Sequence, residues 1–150
     1  MRLEIQQLGD LTLINDAYNA NPDSMKAALN TLAHFGDPSR RRVAILGDML
    51  ELAEMGPTMH EELGAWLGRA HAKRLDHVIL VGKLAADIAQ GIGHVNPAMQ
   101  YTAYPQLDDA VQSKIAQTIE SGDIILIKGS RGSALERLIP ALSTAQENAG

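Results

Sequence analysis

Three short stretches concentrate the groups able to do chemistry. "DAYNANP", residues 16–22, sets a carboxylate, a phenol and two carboxamides between an apolar run and a helical stretch. "GDMLELAE", residues 47–54, carries the acids Asp48, Glu51 and Glu54. "KGSRG", residues 128–132, joins two cations to two glycines; the glycines allow close backbone approach to an anion, which Lys128 and Arg131 neutralise and Ser130 can hydrogen-bond. Tyr18 and Asn19 exceed what a turn needs, whereas a nucleotide offers a base to stack on and hydroxyls to bond. Plainer readings stand beside these. Asn21 before Pro22 suits a helix N-cap with proline at the first helical position. Asp16 closes an Asx-turn as readily as it meets a ligand. The three acids can complement a helix dipole, hold an ammonium or order the basic loop, and Gly-Ser-Arg also makes an ordinary turn.

These polar stretches follow apolar runs. Leu3 and Ile5, then Leu11, Leu13 and Ile14, flank Gly9-Asp10 and predict a hairpin leading into the first core strand. "VAIL" (43–46), "VILV" (78–81) and "IILI" (124–127) are short and apolar throughout, as strands covered on both faces are. "MQYTAY" (99–104) is a weaker strand candidate. Between them, one-faced helical spacing links Met25, Ala28, Leu29 and Leu32; His60, Leu63, Leu67 and Ala70; and Leu107, Val111, Ile115 and Ile119. A last helix carries Leu135, Leu138, Ile139 and Leu142, with Pro140 predicting a kink or an early end and the segment after Thr144 reading as disordered. The expected fold is α/β: three layers, a mostly parallel sheet with an N-terminal antiparallel hairpin, and helices on both faces. In such a sheet the loops leaving the carboxyl ends share one edge, where ligands bind. "DAYNANP", "GDMLELAE", the Gly82-Lys83 pair after "VILV" and "KGSRG" all fall on that edge.

Composition narrows the chemistry. At 150 residues and 45% hydrophobic content, the chain is sized for one domain. A net charge of -5, with Arg40, Arg41 and Arg42 the longest basic run, lacks the footprint of a nucleic-acid partner. No apolar run approaches a membrane span and no secretion signal opens the chain, so a cytoplasmic location is expected. Without cysteine there is no disulfide, thiolate nucleophile or Cys-ligated zinc, and the five His show no close metal-ligand spacing.

Taken in order, "GDLTLINDAYNANPDSM", "RRVAILGDMLELAEMG" with His60 after it, and "GDIILIKGSRG" with Glu136 and Arg137 after it resemble the C-terminal domain of the Mur ligases over essentially the whole chain. The similarity is to the type that adds D-alanyl-D-alanine to UDP-N-acetylmuramoyl-tripeptide in peptidoglycan synthesis. It implies a Rossmann-like domain, the third of a ligase whose UDP-binding and central ATPase domains lie outside this sequence. No G-x-x-x-x-G-K-[ST] phosphate loop occurs here, so the phosphate cradle and Mg2+ are expected in the central domain. The implied reaction phosphorylates a carboxylate with ATP, and the D-alanyl-D-alanine amine then attacks the acyl phosphate. Cations delivered by domain closure stabilise the charge that develops and exclude water.

The resemblance places Arg2 and Asp16 at the ATP phosphates and ribose, with Tyr18, Asn19 and Asn21 in the same nucleotide-facing loop. Asp48, Glu51, Lys128, Ser130 and Arg131 fall where substrate recognition is expected. Pairing about Gly9-Asp10 would bring Arg2 and Asp16 together. One departure stands at Ala53, where a glycine is expected; if that glycine permits a turn, its loss shifts Glu54. The isolated chain is expected to be inactive. The alternatives are a stand-alone Rossmann-like nucleotide-binding module, or the matching domain of a related amide ligase such as folylpolyglutamate synthetase.

Overall fold

Side-chain alternation along the strands sorts the core into two layers. In the computed structural model, residues 3–17, 20–71 and 73–149 are described, with side chains through residue 145. Strands β1 (Glu4–Leu8), β2 (Leu11–Asp16), β3 (Arg42–Leu46), β4 (His77–Val81), β5 (Tyr101–Tyr104) and β6 (Ile124–Lys128) form one sheet in the order β1-β2-β6-β3-β4-β5. β1 pairs antiparallel to β2, with Glu4 opposite Asn15 and Leu8 opposite Leu11; the other neighbours are parallel. Ile14, Ala44, Leu46, Val78, Leu80 and Leu126 face α1 (Pro22–His34), α2 (Gly56–Ala70) and α3 (Ala85–Val95). Leu13, Val43, Ile45, Ile79, Ile125 and Ile127 face α4 (Asp109–Thr118) and α5 (Leu138–Ala149). The expected three-layer architecture, hairpin and mostly parallel sheet are present. No helix among the described residues is long and apolar enough to cross a membrane.

The helix starts follow local chemistry. Asn21 caps α1, its side chain accepting from Ser24 N at 2.8 Å while the Ser24 hydroxyl accepts from Asn21 N at 3.0 Å, with Pro22 at the first helical position. Asp108 caps α4 by accepting from Val111 N at 2.8 Å. Pro140 does not end α5, which runs on to Ala149. It is the third residue of the helix, where the lost N–H has no intrahelical acceptor. The segment after Thr144, expected to be disordered, continues that helix to Ala149.

One helix escapes the sequence reading. α3 shows Ile88 and Ile92 at helical spacing, but Gly91 and Gly93 dilute the signal. Gly91 is needed by packing. A Cβ there would lie 2.8 Å from Ala65 N and closer still to Glu61 O, while one on Gly64 would lie 2.9 Å from the Ile88 carbonyl carbon and closer to its oxygen. The two helices thus meet backbone against backbone through reciprocal glycines.

The basic run is absorbed by the fold. Arg40 Nε donates to Gly122 O at 2.7 Å and its terminal nitrogen to Thr12 Oγ1 at 3.0 Å. Arg41 reaches Thr118 O at 3.2 Å and Asp123 Oδ2 at 3.1 Å. Arg42, 4% exposed, donates to Leu32 O, Arg40 O and Phe35 O. Burial pushes the Asp123 carboxyl up, against the Glu120 N–H and the Arg41 charge that hold it down. These guanidiniums close the amino end of the sheet by satisfying backbone carbonyls, which a nucleic-acid surface would not do.

Candidate functional site at the carboxyl edge of the sheet

β2, β6, β3 and β4 end side by side, and their loops are bound into one unit. Gly47 N donates to Lys128 O at 2.8 Å, and Ser130 N donates to Asp48 O at 2.9 Å, so the loop after β3 continues the ladder into the loop after β6. The Ser130 hydroxyl accepts from Leu50 N at 2.9 Å. Asp48 crosses to the third loop, its carboxylate accepting from Lys83 N at 3.1 Å and Leu84 N at 3.0 Å. Gly82 (φ 134) leaves room for it, since a Cβ there would lie 2.6 Å from Asp48 Oδ2. Asp48 therefore supplies the acceptor that the start of α3 lacks, because Leu84 makes no side-chain cap.

His60, fully buried on α2, fixes the outer part of the second loop. Nδ1 lies 2.7 Å from Gly56 O and Nε2 accepts from Met49 N at 3.0 Å. The tautomer with the proton on Nδ1 satisfies both bonds. Beyond this anchor, Glu51 and Glu54 are exposed, and so are the apolar Leu50 and Met55 at 48% and 49%.

Ala53 explains the departure noted at that position. Its φ of 50° lies in the left-handed region, where a side chain is strained and glycine is not. Ala53→Gly should stabilise the protein by about 0.5–1 kcal/mol, the left-handed penalty less the added chain entropy of glycine. A rise in the urea midpoint at unchanged slope would show it.

The polar residues anticipated from sequence take different positions. Asp16 and Lys128 are opposite each other at the last register position of β2 and β6, and Lys128 Nζ lies 2.8 Å from Asp16 Oδ2. Both are buried, at 2% and 0% exposure. Asn21, exposed at the start of α1, spends its side-chain oxygen on the cap. Ser130 is buried and Arg131 is exposed on the short 3-10 turn Arg131–Ser133. Arg2, Tyr18 and Asn19 lie outside the described residues.

The structure brings Asp48 and Ser130 together and Asp16 and Lys128 together, while Arg131 and Glu51 remain on the outer surface. Sequence reasoning missed Gly47 and Gly82 as points of close approach, and gave Gly129 to an anion where its close neighbour is the loop after β3. A Cβ on Gly129 would lie 3.0 Å from Gly47 Cα. The available signal was a glycine at or just beyond the end of three separate apolar runs.

A mostly parallel sheet with helices on both faces and its polar loops gathered at the carboxyl edge defines a Rossmann-like domain, a fold whose ligands bind at that edge. The family described as "Mur ligase, glutamate ligase domain" matches residues 1–131, and the chain belongs to that family. The UDP-N-acetylmuramoyl-tripeptide--D-alanyl-D-alanine ligase of Bacillus subtilis is 38% identical over 146 residues, covering 95% of this chain and 30% of that protein. The enzyme of the same name from Escherichia coli is 35% identical over 147 residues, covering 96% and 29%. A crystal structure of MurF from Acinetobacter baumannii superposes with a TM-score of 0.79 at 29% identity, covering 95% of this chain and 30% of that one. The chain spans about 30% of the length of these relatives.

Proposed function

We propose that the chain is the C-terminal domain of a three-domain ATP-dependent ligase that joins D-alanyl-D-alanine to UDP-N-acetylmuramoyl-tripeptide in the cytoplasm during peptidoglycan synthesis. The observation that carries this reading is the 38% identity with a ligase of that activity over 146 residues, in a chain whose polar loops converge on one sheet edge. ATP supplies the phosphoryl group that activates the peptide carboxylate. The first loop suits its nucleoside part: the Asp16 carboxylate accepts from hydroxyls, and the Asn21 carboxamide, its oxygen held by the cap, still has donors to offer. Mg2+ is assigned, with the phosphate cradle, to the central domain, because the G-x-x-x-x-G-K-[ST] loop that would hold both does not occur in this sequence.

On the substrate side, Arg131 and Glu51 are among the charged groups exposed at the edge, with Glu54 and Lys83, and are suited to a carboxylate and an ammonium respectively. Asp48 and Ser130 hold the loops that present them. Closure of this domain on the central one brings the cation to the developing charge and excludes water.

Phosphate release tests the reading. The full-length ligase should turn over ATP when given both substrates, and the 150-residue chain alone should not; turnover by the chain alone at enzyme-like rates would refute it. In the full-length ligase, Arg131→Ala should raise KM for D-alanyl-D-alanine or lower kcat by about tenfold, as loss of a charge-assisted hydrogen bond of about 1.5 kcal/mol requires. The kinetic loss should appear without a matching fall in the melting temperature. A turn residue would show the reverse, with lower stability and near-normal kinetics.

A further inference from the structure

We infer that Lys128 is a positioning residue for the nucleotide, acting through Asp16 rather than on a ligand itself; this rests on the reading of the carboxyl edge as nucleotide-facing. Lys128 ends the strand that runs between β2 and β3, with Asp16 opposite it on one side and Leu46 on the other. Its carbonyl accepts from Gly47 N at 2.8 Å, and its ammonium lies 2.8 Å from Asp16 Oδ2 at 0% exposure. A cation so enclosed does not swing out to meet a phosphate.

Stability does not account for the pair. Taking an ammonium and a carboxylate out of water offsets most of their attraction, and an apolar pair of similar volume commonly serves as well. What the pair does supply is a carboxylate with a fixed direction at the point where β2 gives way to the first polar loop. The ammonium takes Oδ2, which orients the group so that Oδ1 is the acceptor for a vicinal diol such as that of a ribose. An acceptor held in place before the ligand arrives loses less freedom on binding than one that must be ordered. Lys128 also opens the loop that contains Arg131, so one side chain fixes the roots of both the nucleotide-facing and the substrate-facing loops.

The experiment compares Asp16→Asn, Lys128→Met and the double variant in the full-length ligase. Each single variant is expected to raise KM for ATP about tenfold with KM for D-alanyl-D-alanine within twofold of wild type, and the double variant should differ from either single by less than twofold. A purely structural lysine would lower the melting temperature and leave the KM of the folded enzyme unchanged, which would overturn the inference. So would factors that multiply in the double variant, because Lys128 would then act independently of Asp16. Should Lys128→Met fail to fold with its carboxylate unpaired, the double variant, which buries no lone charge at this site, is compared with Asp16→Asn. Equal KM values for ATP support the inference and a further tenfold rise overturns it. If Asp16→Asn raises KM for ATP and Lys128→Met does not, the inference alone fails. A wild-type KM for ATP in Asp16→Asn removes the nucleotide reading and the inference together.

Discussion

Gly91→Ala and Gly93→Ala, two residues apart on α3, should move stability in opposite directions. In an exposed helix interior the exchange favours alanine by about 1 kcal/mol, through backbone entropy. Gly93 is half-buried but a Cβ there has nothing within 4 Å, so Gly93→Ala should raise stability by about 0.5–1 kcal/mol. At Gly91 the new methyl group would be driven into the backbone of α2 at Glu61 and Ala65, atoms that no side-chain rotation can move aside. The helices must separate, and the apolar contacts of Ile88 and Ile92 beneath them loosen. A net loss of about 2 kcal/mol or more is expected, the upper part of the usual overpacking range after the helical gain is subtracted. In a domain of this size it would lower the melting temperature by about 4–8 °C. Thermal unfolding of both variants checks the sign; a stabilised Gly91→Ala would mean that α2 and α3 do not meet through their backbones.

Asp48→Ala should cost both stability and activity. The carboxylate is buried and accepts from Lys83 N and Leu84 N, while its backbone carbonyl receives Ser130 N. The side chain alone is removed by the substitution, leaving two N–H groups at the start of α3 without their acceptor. Hydrogen bonds to a charged group contribute about 1.5–3 kcal/mol, and a lost cap about 1 kcal/mol, so a destabilisation of about 2–3 kcal/mol is expected. With the loop after β4 released from the other two, which stay joined through Gly47 N, Ser130 N and the Ser130 hydroxyl, kcat and KM of the full-length ligase should both worsen. Asp48→Asn, which keeps one acceptor, should fall between. A residue that only recognised substrate would give the contrary result, with kinetics lost at an unchanged melting temperature.

The same residue shows where the sequence stops being informative. The strands and four of the five helices are visible because their signals are local: apolar runs between turn residues, and leucines or isoleucines at one-faced spacing. Asn21 is visible for the same reason, since its cap closes within three residues at Ser24. Asp48 reads as a helix-start acid, yet it serves a helix whose first residue is Ala85, after the neighbouring strand β4. Lys128 reads as an anion binder because its partner, Asp16, becomes adjacent only through the placement of β6 beside β2. α3 was hidden by two glycines, of which Gly91 serves contact with another helix. In each case the local pattern is present, but the group that decides its meaning lies on another element.

The position of β6 also bears on how the molecule can be made. A ribosome releases β2 early and β6 late, yet β6 lies between β2 and β3 and pairs with both. Until Ile124–Lys128 emerge, the nascent chain can hold a hairpin of β1 and β2 and a separate ladder of β3, β4 and β5, with each inner edge unpaired. Non-local pairing of this kind comes late and leaves strand edges open to other chains. The domain therefore cannot complete itself vectorially as it leaves the tunnel. Its final strand must insert into a waiting gap, and the Asp16–Lys128 edge, for which the earlier strands supply only half the residues, comes into being at that last step.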